Sequence, residues 1–283
     1  MIDDPTLDAC FDDPRQLARI RAEAAFGLAQ VGPAVAALPP GARVLEIGCG
    51  AGYLLRMLAR RHPALSFEGV EPIGPGFTQF DRPLGLVAAA TPNIVVHRAA
   101  IESFGSAEAG GAYDLIFSVN VFEHLGDWRA GVDRACALLA PGGEMMILCP
   151  NYAVPYEPHF RLPLLGGPRL ARRLFARRIA RIERENAADG LWRSLNFISV
   201  PALRRHCDRR GWRVAFDGAI LGEMVERLTE DAQLAARQPG LARAASLLRR
   251  AGLAAALRRV PPALSPYMRA TVSAPGGPAG PPR

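Results

Sequence analysis

The segment Gly48-Cys49-Gly50-Ala51-Gly52 puts a glycine at every second position directly after the apolar run Val44-Leu45-Glu46-Ile47. Glycines there let a ligand reach backbone amides that a side chain would screen, and a helix opening behind the turn offers unpaired N–H groups. The spacing is G-x-G-x-G, not the G-x-G-x-x-G of dinucleotide enzymes. An acid, Glu71, closes a second apolar run, Phe67-Glu68-Gly69-Val70-Glu71-Pro72. A carboxylate about 20 residues beyond such a turn can accept both hydroxyls of a ribose.

Two other places carry groups able to move a proton. His124 follows the apolar run Tyr113–Val119, within Asn120-Val121-Phe122-Glu123-His124-Leu125. The stretch Tyr156-Glu157-Pro158-His159-Phe160 lies between Pro155 and Pro163. Prolines favour extended backbone, which puts Glu157 and His159 on one side and Tyr156 and Phe160 on the other. A carboxylate beside an imidazole can orient it as a general base. Both places also have a purely structural reading: a polar cap between strand and helix for His124, a surface turn for 156–160. His62 and His206 sit in arginine-rich helical surroundings and are expected on the surface, and His97 ends a strand. No set of His and Cys has metal-ligand spacing, so no metal is expected.

The elements that must position these groups follow an alternating pattern. Strands are expected at Arg43–Ile47, Phe67–Glu71, Ile94–His97, Tyr113–Val119 and Glu144–Cys149, with helices at Pro14–Gln30, Gly52–Arg61, before Ala90 and at Asp127–Leu139. That order predicts a parallel sheet covered by helices. After Pro150 the alternation stops. An arginine-rich helical stretch is followed by a helix starting at Ser199 (N-cap) and Pro201, then a strand Trp212–Ala219. Residues 222–260 read as helical with breaks at Gly240 and Gly252, and Tyr267–Ser273 as a last strand. The tail from Ala274 is low-complexity and expected to be disordered.

In this order and spacing the motifs resemble a class I S-adenosylmethionine-dependent methyltransferase. The residues that carry the resemblance are Glu46-x-Gly48-x-Gly50-x-Gly52, Glu71, Tyr113-Asp114-Leu115-Ile116-Phe117-Ser118, and Leu138-Leu139-Ala140-Pro141-Gly142-Gly143. Glu123-His124-Leu125 after the fourth strand is similar to the branch containing ubiquinone-type O-methyltransferases. The resemblance implies an α/β, Rossmann-like seven-stranded sheet with helical cap insertions after strand 5 and between strands 6 and 7. It divides the chain into a leader and helix (1–40), a cofactor-binding core (41–150), a cap (151–198), the C-terminal part of the fold (199–273, with its insertion at 222–265) and the tail (274–283). The cofactor would be S-adenosyl-L-methionine, leaving as S-adenosyl-L-homocysteine. Its methionine part would lie near Glu46, Gly48, Cys49, Gly50, Gly52 and Asn120, its ribose on Glu71 beside Pro72, and its adenine against Ala100 and Ile101. The aspartate that many members use for the adenine amino group is missing from Arg98-Ala99-Ala100-Ile101-Glu102, where Glu102 could substitute.

Composition bounds the rest. The chain has 283 residues, 49% hydrophobic and 22% charged, which suits a globular protein. It contains no lysine, which excludes a lysine phosphate loop and pyridoxal Schiff-base chemistry. Five scattered cysteines argue against a disulfide framework, and an acidic start without an apolar core argues against secretion. The expected location is therefore cytoplasmic. Charge is uneven: residues 1–150 hold 11 Arg against 17 acids, residues 151–283 hold 23 against 10. Within 169–185, Ala171, Leu174, Phe175, Ile179 and Ile182 follow helical spacing opposite arginines. Such a helix can lie on an anionic membrane face or cover the substrate pocket. Arg249-Arg250 and Arg258-Arg259, nine apart, would fall on opposite sides of one helix.

The expected function is methyl transfer to a small-molecule or lipid- or sugar-linked acceptor, with a hydroxyl preferred from the Glu123-His124-Leu125 resemblance and the two histidines, and a nitrogen acceptor open. An RNA methyltransferase or a catalytically inactive methyltransferase-like binding protein are the alternatives. Low aromatic content, 7%, and the lack of an RNA-binding module weigh against nucleic acid. Oligomeric state is not legible in the sequence.

Overall fold

The computed structural model describes residues 4–74, 78–105, 112–185 and 190–274. Helix α1 (Pro14–Ala36) is started by Asp13, whose side chain accepts from the Arg15 amide at 2.8 Å. It passes beyond the expected Gln30 and carries Pro33 in its last turn. There follow β1 (Arg43–Ile47), α2 (Tyr53–Arg61), β2 (Ser66–Val70), α3 (Asp81–Ala90), β3 (Ile94–His97), β4 (Tyr113–Val119), α4 (Trp128–Ala137) and β5 (Leu139–Pro150). The last part of the fold contributes α5 (Pro168–Leu174), α6 (Ala176–Glu185), α7 (Val200–Arg210), β6 (Arg213–Phe216), α8 (Ile220–Glu230), α9 (Ala232–Arg237), α10 (Pro239–Arg250) and β7 (Tyr267–Ser273).

The sheet runs β3-β2-β1-β4-β5-β7-β6. The pairs from β3 to β5 are parallel, while β7 is antiparallel to both β5 and β6. Alternation along the strands splits the core in two. Leu115, Phe117, Met146 and Leu148 face α1, α2 and α3, and Ile116, Met145, Ile147 and Cys149 face the α4 and α7 side. The order reverses between β1 and β4, and ligands in open α/β sheets gather at the carboxyl ends of the strands at such a point.

The cap after β5 has its own small core of Phe160, Leu162, Leu164, Ala171, Ile179, Ile182, Trp192 and Leu195. The chain makes two helices where one amphipathic stretch was expected, because the backbone departs from helix at Phe175 (φ −109°, ψ 19°). Ala171, Ile179 and Ile182 are buried as their spacing requires. Leu174 is not: the break resets the helical phase and leaves it 66% exposed.

Other expectations change for equally local reasons. Gly240 falls in the first turn of α10, and the interruptions lie at Asp231, Gln238 and Gly252. The chain therefore turns between Arg249-Arg250 and Arg258-Arg259, and a one-helix comparison of them does not apply. His206 is buried, not superficial: its Nε2 lies 2.7 Å from Asp133 Oδ1, and its ring packs edgewise on Trp128 and Trp212. Ser199 occupies the N-cap of α7 without a capping bond, and Asn151 Oδ1 accepts from the Val200 amide instead. The sixth strand spans only Arg213–Phe216. Nearly all of the C-terminal tail lies outside the described residues. Among those described, no helix is long and apolar enough to cross a membrane.

Candidate active site

The turn between β1 and α2 is forced by its glycines. Gly48, Gly50 and Gly52 all have positive φ, which L side chains rarely adopt. A Cβ on Gly48 would stand 2.4 Å from Val121 Cγ2, so this glycine lets the β1 turn pack against the chain leaving β4. At Gly50 a Cβ would meet nothing nearer than Phe80 Cδ2 at 3.8 Å, so its backbone stays accessible to a ligand. Cys49 is packing rather than chemistry: its buried Sγ lies against Gly69, where a Cβ would sit 2.7 Å away.

Two acids converge on this turn. Glu71, at the end of β2, accepts from the Gly50 amide at 2.9 Å and is nearly buried. Burial raises its pKa, against the pull of the Gly50 and Ile73 amides. Glu46 is buried in β1, and its Oε2 has no hydrogen-bond partner. Burial, and secondarily the charge of Glu71, pushes it up to about 8. Pro72 beside them is exposed, while Ile101 is turned into the core and Ala100 half-buried. Glu102 Oε1 lies 3.4 Å from the Asp127 amide, at the start of α4.

Asn120 ends β4 in left-handed backbone (φ 58°). Its Nδ2 donates to Glu23 Oε2 at 3.1 Å and its Oδ1 accepts from the Tyr267 hydroxyl at 2.7 Å. Glu23 comes from α1 and Tyr267 from the start of β7, and sequence reasoning singled out neither. A lone acid in a helix and a lone tyrosine carry no local signal. Ile73, Arg161 and Phe197 are the other non-glycine residues with positive φ among those described. Backbone strain of this kind collects around functional sites, where surrounding contacts hold it in place.

The two proton-handling candidates meet. His159 Nδ1 lies 2.6 Å from Glu157 Oε1, and the rings of His159 and His124 are 5.2 Å apart. Glu157 is fully buried, accepting also from the Tyr152 hydroxyl (3.1 Å) and the Phe160 amide (2.6 Å). His124 Nδ1 is 2.9 Å from Ser194 Oγ. The turn that carries His124 is clamped by Asn196, whose Nδ2 donates to the carbonyls of Phe122 (2.7 Å) and Leu125 (2.9 Å).

Glu123 lies beside them, fully buried, with no hydrogen-bond partner for either carboxylate oxygen. Burial pushes its pKa up to about 7, against the lowering influence of His159. Burial drives His124 down to about 3, helped by His159. For His159 burial works downward, but the hydrogen bond and charge of Glu157 outweigh it and the net shift is upward. Spacing along the chain offered no metal-ligand set, yet Glu123, His124 and His159 each bring a ligand atom within 4.8 Å of the others.

Residues 14–215 match a family model described as "Methyltransferase domain". The uncharacterized protein Rv1509 of Mycobacterium tuberculosis is 36% identical over 222 residues, covering 77% of this chain and 73% of its own. A ubiquinone biosynthesis O-methyltransferase of Mesorhizobium japonicum is 31% identical over 111 residues, 39% of this chain and 42% of that protein. Among solved structures, the mycolic acid cyclopropane synthase CmaA1, complexed with S-adenosylhomocysteine and CTAB, shares the fold. Its TM-score is 0.52 at 19% identity, over 95% of this chain and 93% of that one.

Proposed function

The chain belongs to the methyltransferase-domain family as a class I S-adenosylmethionine-dependent methyltransferase, and from that premise we propose that it methylates a hydroxyl on a small-molecule or lipid- or sugar-linked acceptor. The bound cofactor supplies a methyl group already activated on a sulfonium, so transfer depends mainly on holding the acceptor in line.

The residues present fit that cofactor. Glu46 offers a buried carboxylate oxygen without a partner, which suits the ammonium of the methionine part. Gly48, Gly50 and Gly52, with the backbone of Cys49, form the cradle over which it would lie, with Asn120 facing it. Glu71 would hold the ribose beside Pro72, and Ala100 and Ile101 would flank the adenine.

The observation that carries the hydroxyl acceptor is the 2.6 Å contact between Glu157 Oε1 and His159 Nδ1, next to His124. Glu157 fixes the imidazole at Nδ1, which would leave Nε2 to take the proton of an acceptor hydroxyl. These three residues would activate the hydroxyl. The lipid-linked end of the acceptor range is favoured by the surface of the cap. Leu165, Leu170 and Leu174 are 70%, 44% and 66% exposed amid exposed Arg169, Arg172 and Arg173. Apolar side chains ringed by arginine suit peripheral contact with an anionic membrane face, here the inner face for a cytoplasmic enzyme.

Calorimetric titration with S-adenosylhomocysteine tests the cofactor half. Micromolar binding is expected, weakened at least tenfold in Glu71→Ala, about 1.4 kcal/mol. No binding by the folded wild type would favour a methyltransferase-like binding protein. An acceptor screen follows, and activity on RNA that falls steeply with salt would overturn the small-molecule reading.

A further inference from the structure

We infer that Glu123, His124 and His159 form a binding site for one first-row divalent transition cation of the zinc class, on the acceptor side of the site. Ser194 Oγ makes a 2.8 Å bond to the Leu191 carbonyl, which takes the hydroxyl proton, so Oγ faces His124 Nδ1 as an acceptor. His124 therefore carries its proton on Nδ1 and leaves a lone pair on Nε2, which stands 3.9 Å from Glu123 Oε1. The carboxylate of Glu157 sets the same tautomer in His159. Two imidazoles with lone pairs on Nε2 thus accompany a buried carboxylate that has no hydrogen-bond donor for either oxygen.

Nature rarely leaves a fully buried carboxylate without a partner, because its desolvation is then uncompensated. A cation placed among the three residues supplies that partner. One potential ligand atom from each of the three already lies within 4.8 Å of the others, and metal bonds of about 2.0–2.2 Å need only a modest closing of the set. The surroundings are those of a metal site as well. A carboxylate or hydroxyl on the far nitrogen of each ligating histidine is the usual outer-shell support, and Glu157 and Ser194 occupy those positions. Two imidazole nitrogens and one carboxylate select zinc, cobalt, manganese or iron over magnesium and calcium, which prefer all-oxygen sites. Three protein ligands leave coordination positions open for the acceptor.

This deepens the proposed function on its acceptor side. With a cation bound, His159 would hold it through Nε2 in place of serving as the base, and the cation would lower the pKa of a bound acceptor hydroxyl, whose proton would leave to solvent. The two services separate cleanly, since a chelator removes a cation and leaves an imidazole base in place.

The test uses the full chain, stripped with a chelator and desalted. Titration with cobalt(II) should give visible d–d absorption bands saturating at one equivalent, and zinc(II) loaded in excess should survive desalting at one equivalent by elemental analysis. Glu123→Gln and His159→Gln should each weaken cobalt binding at least tenfold, while His62→Gln, remote from the site, should not. S-adenosylhomocysteine titration of every sample reports whether the protein is folded and the cofactor site intact. Wild type that binds S-adenosylhomocysteine but holds neither metal overturns the cation site and leaves the methyltransferase reading standing. Undiminished cobalt binding in the two folded variants also overturns it. Stoichiometric metal without S-adenosylhomocysteine binding would support the cation site while sinking the cofactor reading.

Discussion

Glu46 and Glu123 are both buried carboxylates with oxygens that no protein group satisfies, and each implies a different guest. For Glu46 the consequence can be read as a pH dependence. Its folded value of about 8 lies above the ordinary 4.5, so the folded chain keeps a proton that the unfolded chain has released between those values. The stability Glu46 contributes is therefore full below pH 4.5 and is lost as the pH climbs through 8. Glu71 and Glu123 shift in the same direction, so the clean measurement is a difference. The melting temperature of Glu46→Gln minus that of wild type should widen from about pH 5 to about pH 8. Saturating S-adenosylhomocysteine should narrow the gap at pH 8, because in the proposed placement its ammonium would stand beside Glu46 and favour the ionised form. A gap flat across that range would show that the carboxylate is already ionised in the unliganded fold.

At the scale of elements, Asn151 does most to join the two halves of the site. It sits directly after β5, 1% exposed. Its Oδ1 accepts from the Val200 and Ala153 amides, and its Nδ2 reaches the carbonyls of Pro262, Ala263 and Ser265. One side chain thus pins the start of α7 and the lead into β7, which carries Tyr267 to Asn120. Asn151→Ala leaves several buried groups unpaired and should cost about 2–3 kcal/mol. Thermal melting should fall by roughly 5–10 °C, and S-adenosylhomocysteine binding should weaken with it. A melting point unchanged within about 2 °C would show that water or neighbours replace these bonds. The same residue shows where sequence reasoning stops. Strands β1 to β5 and the glycine turn were legible because each is a contiguous run whose periodicity or spacing is local. Glu71 was legible for the same reason, at a fixed distance from the turn. Two-residue alternation points to the Glu157–His159 pair, but only Tyr156 and Glu157 are extended: residues 158–161 form a turn, and that turn brings the two side chains together. By contrast, Glu23, Ser194 and Tyr267 are single residues on separate elements, and the Glu123 cluster exists only once the cap folds over β4. Ser199 has the residue type of a cap and the position of one. The fold gave that task to an asparagine about 50 residues away, through a contact that no local pattern encodes.

For the whole molecule, an acidic N-terminal half is joined to a basic C-terminal one. Residues 1–150, with the five parallel strands, hold 11 Arg against 17 acids, and residues 151–283 hold 23 against 10. Some of that arginine is tied down: Arg269 bonds Asp217, Glu223 and Gln30, and Arg227 pairs with Asp231. The exposed arginines of α5 are differently placed, beside Leu165, Leu170 and Leu174. Neither feature alone would hold a protein on a bilayer. A basic side chain contributes about 1 kcal/mol near an anionic surface, and a fully buried leucine about 1.5–3 kcal/mol. Together they predict binding that needs both charge and apolar insertion. The full chain should therefore sediment with vesicles containing about 30% anionic lipid and not with neutral ones. Raising salt from about 50 to 300 mM should weaken that binding severalfold, since it shortens the screening length below the reach of the arginine ring. Replacing Leu170 and Leu174 together by Glu should weaken it at least tenfold at low salt. S-adenosylhomocysteine affinity should stay within about twofold in that double variant, because the two leucines face solvent. Equal sedimentation with neutral and anionic vesicles would remove charge from the account. Failure to sediment with either would leave the leucines without a lipid partner and shift the acceptor search to water-soluble hydroxyls.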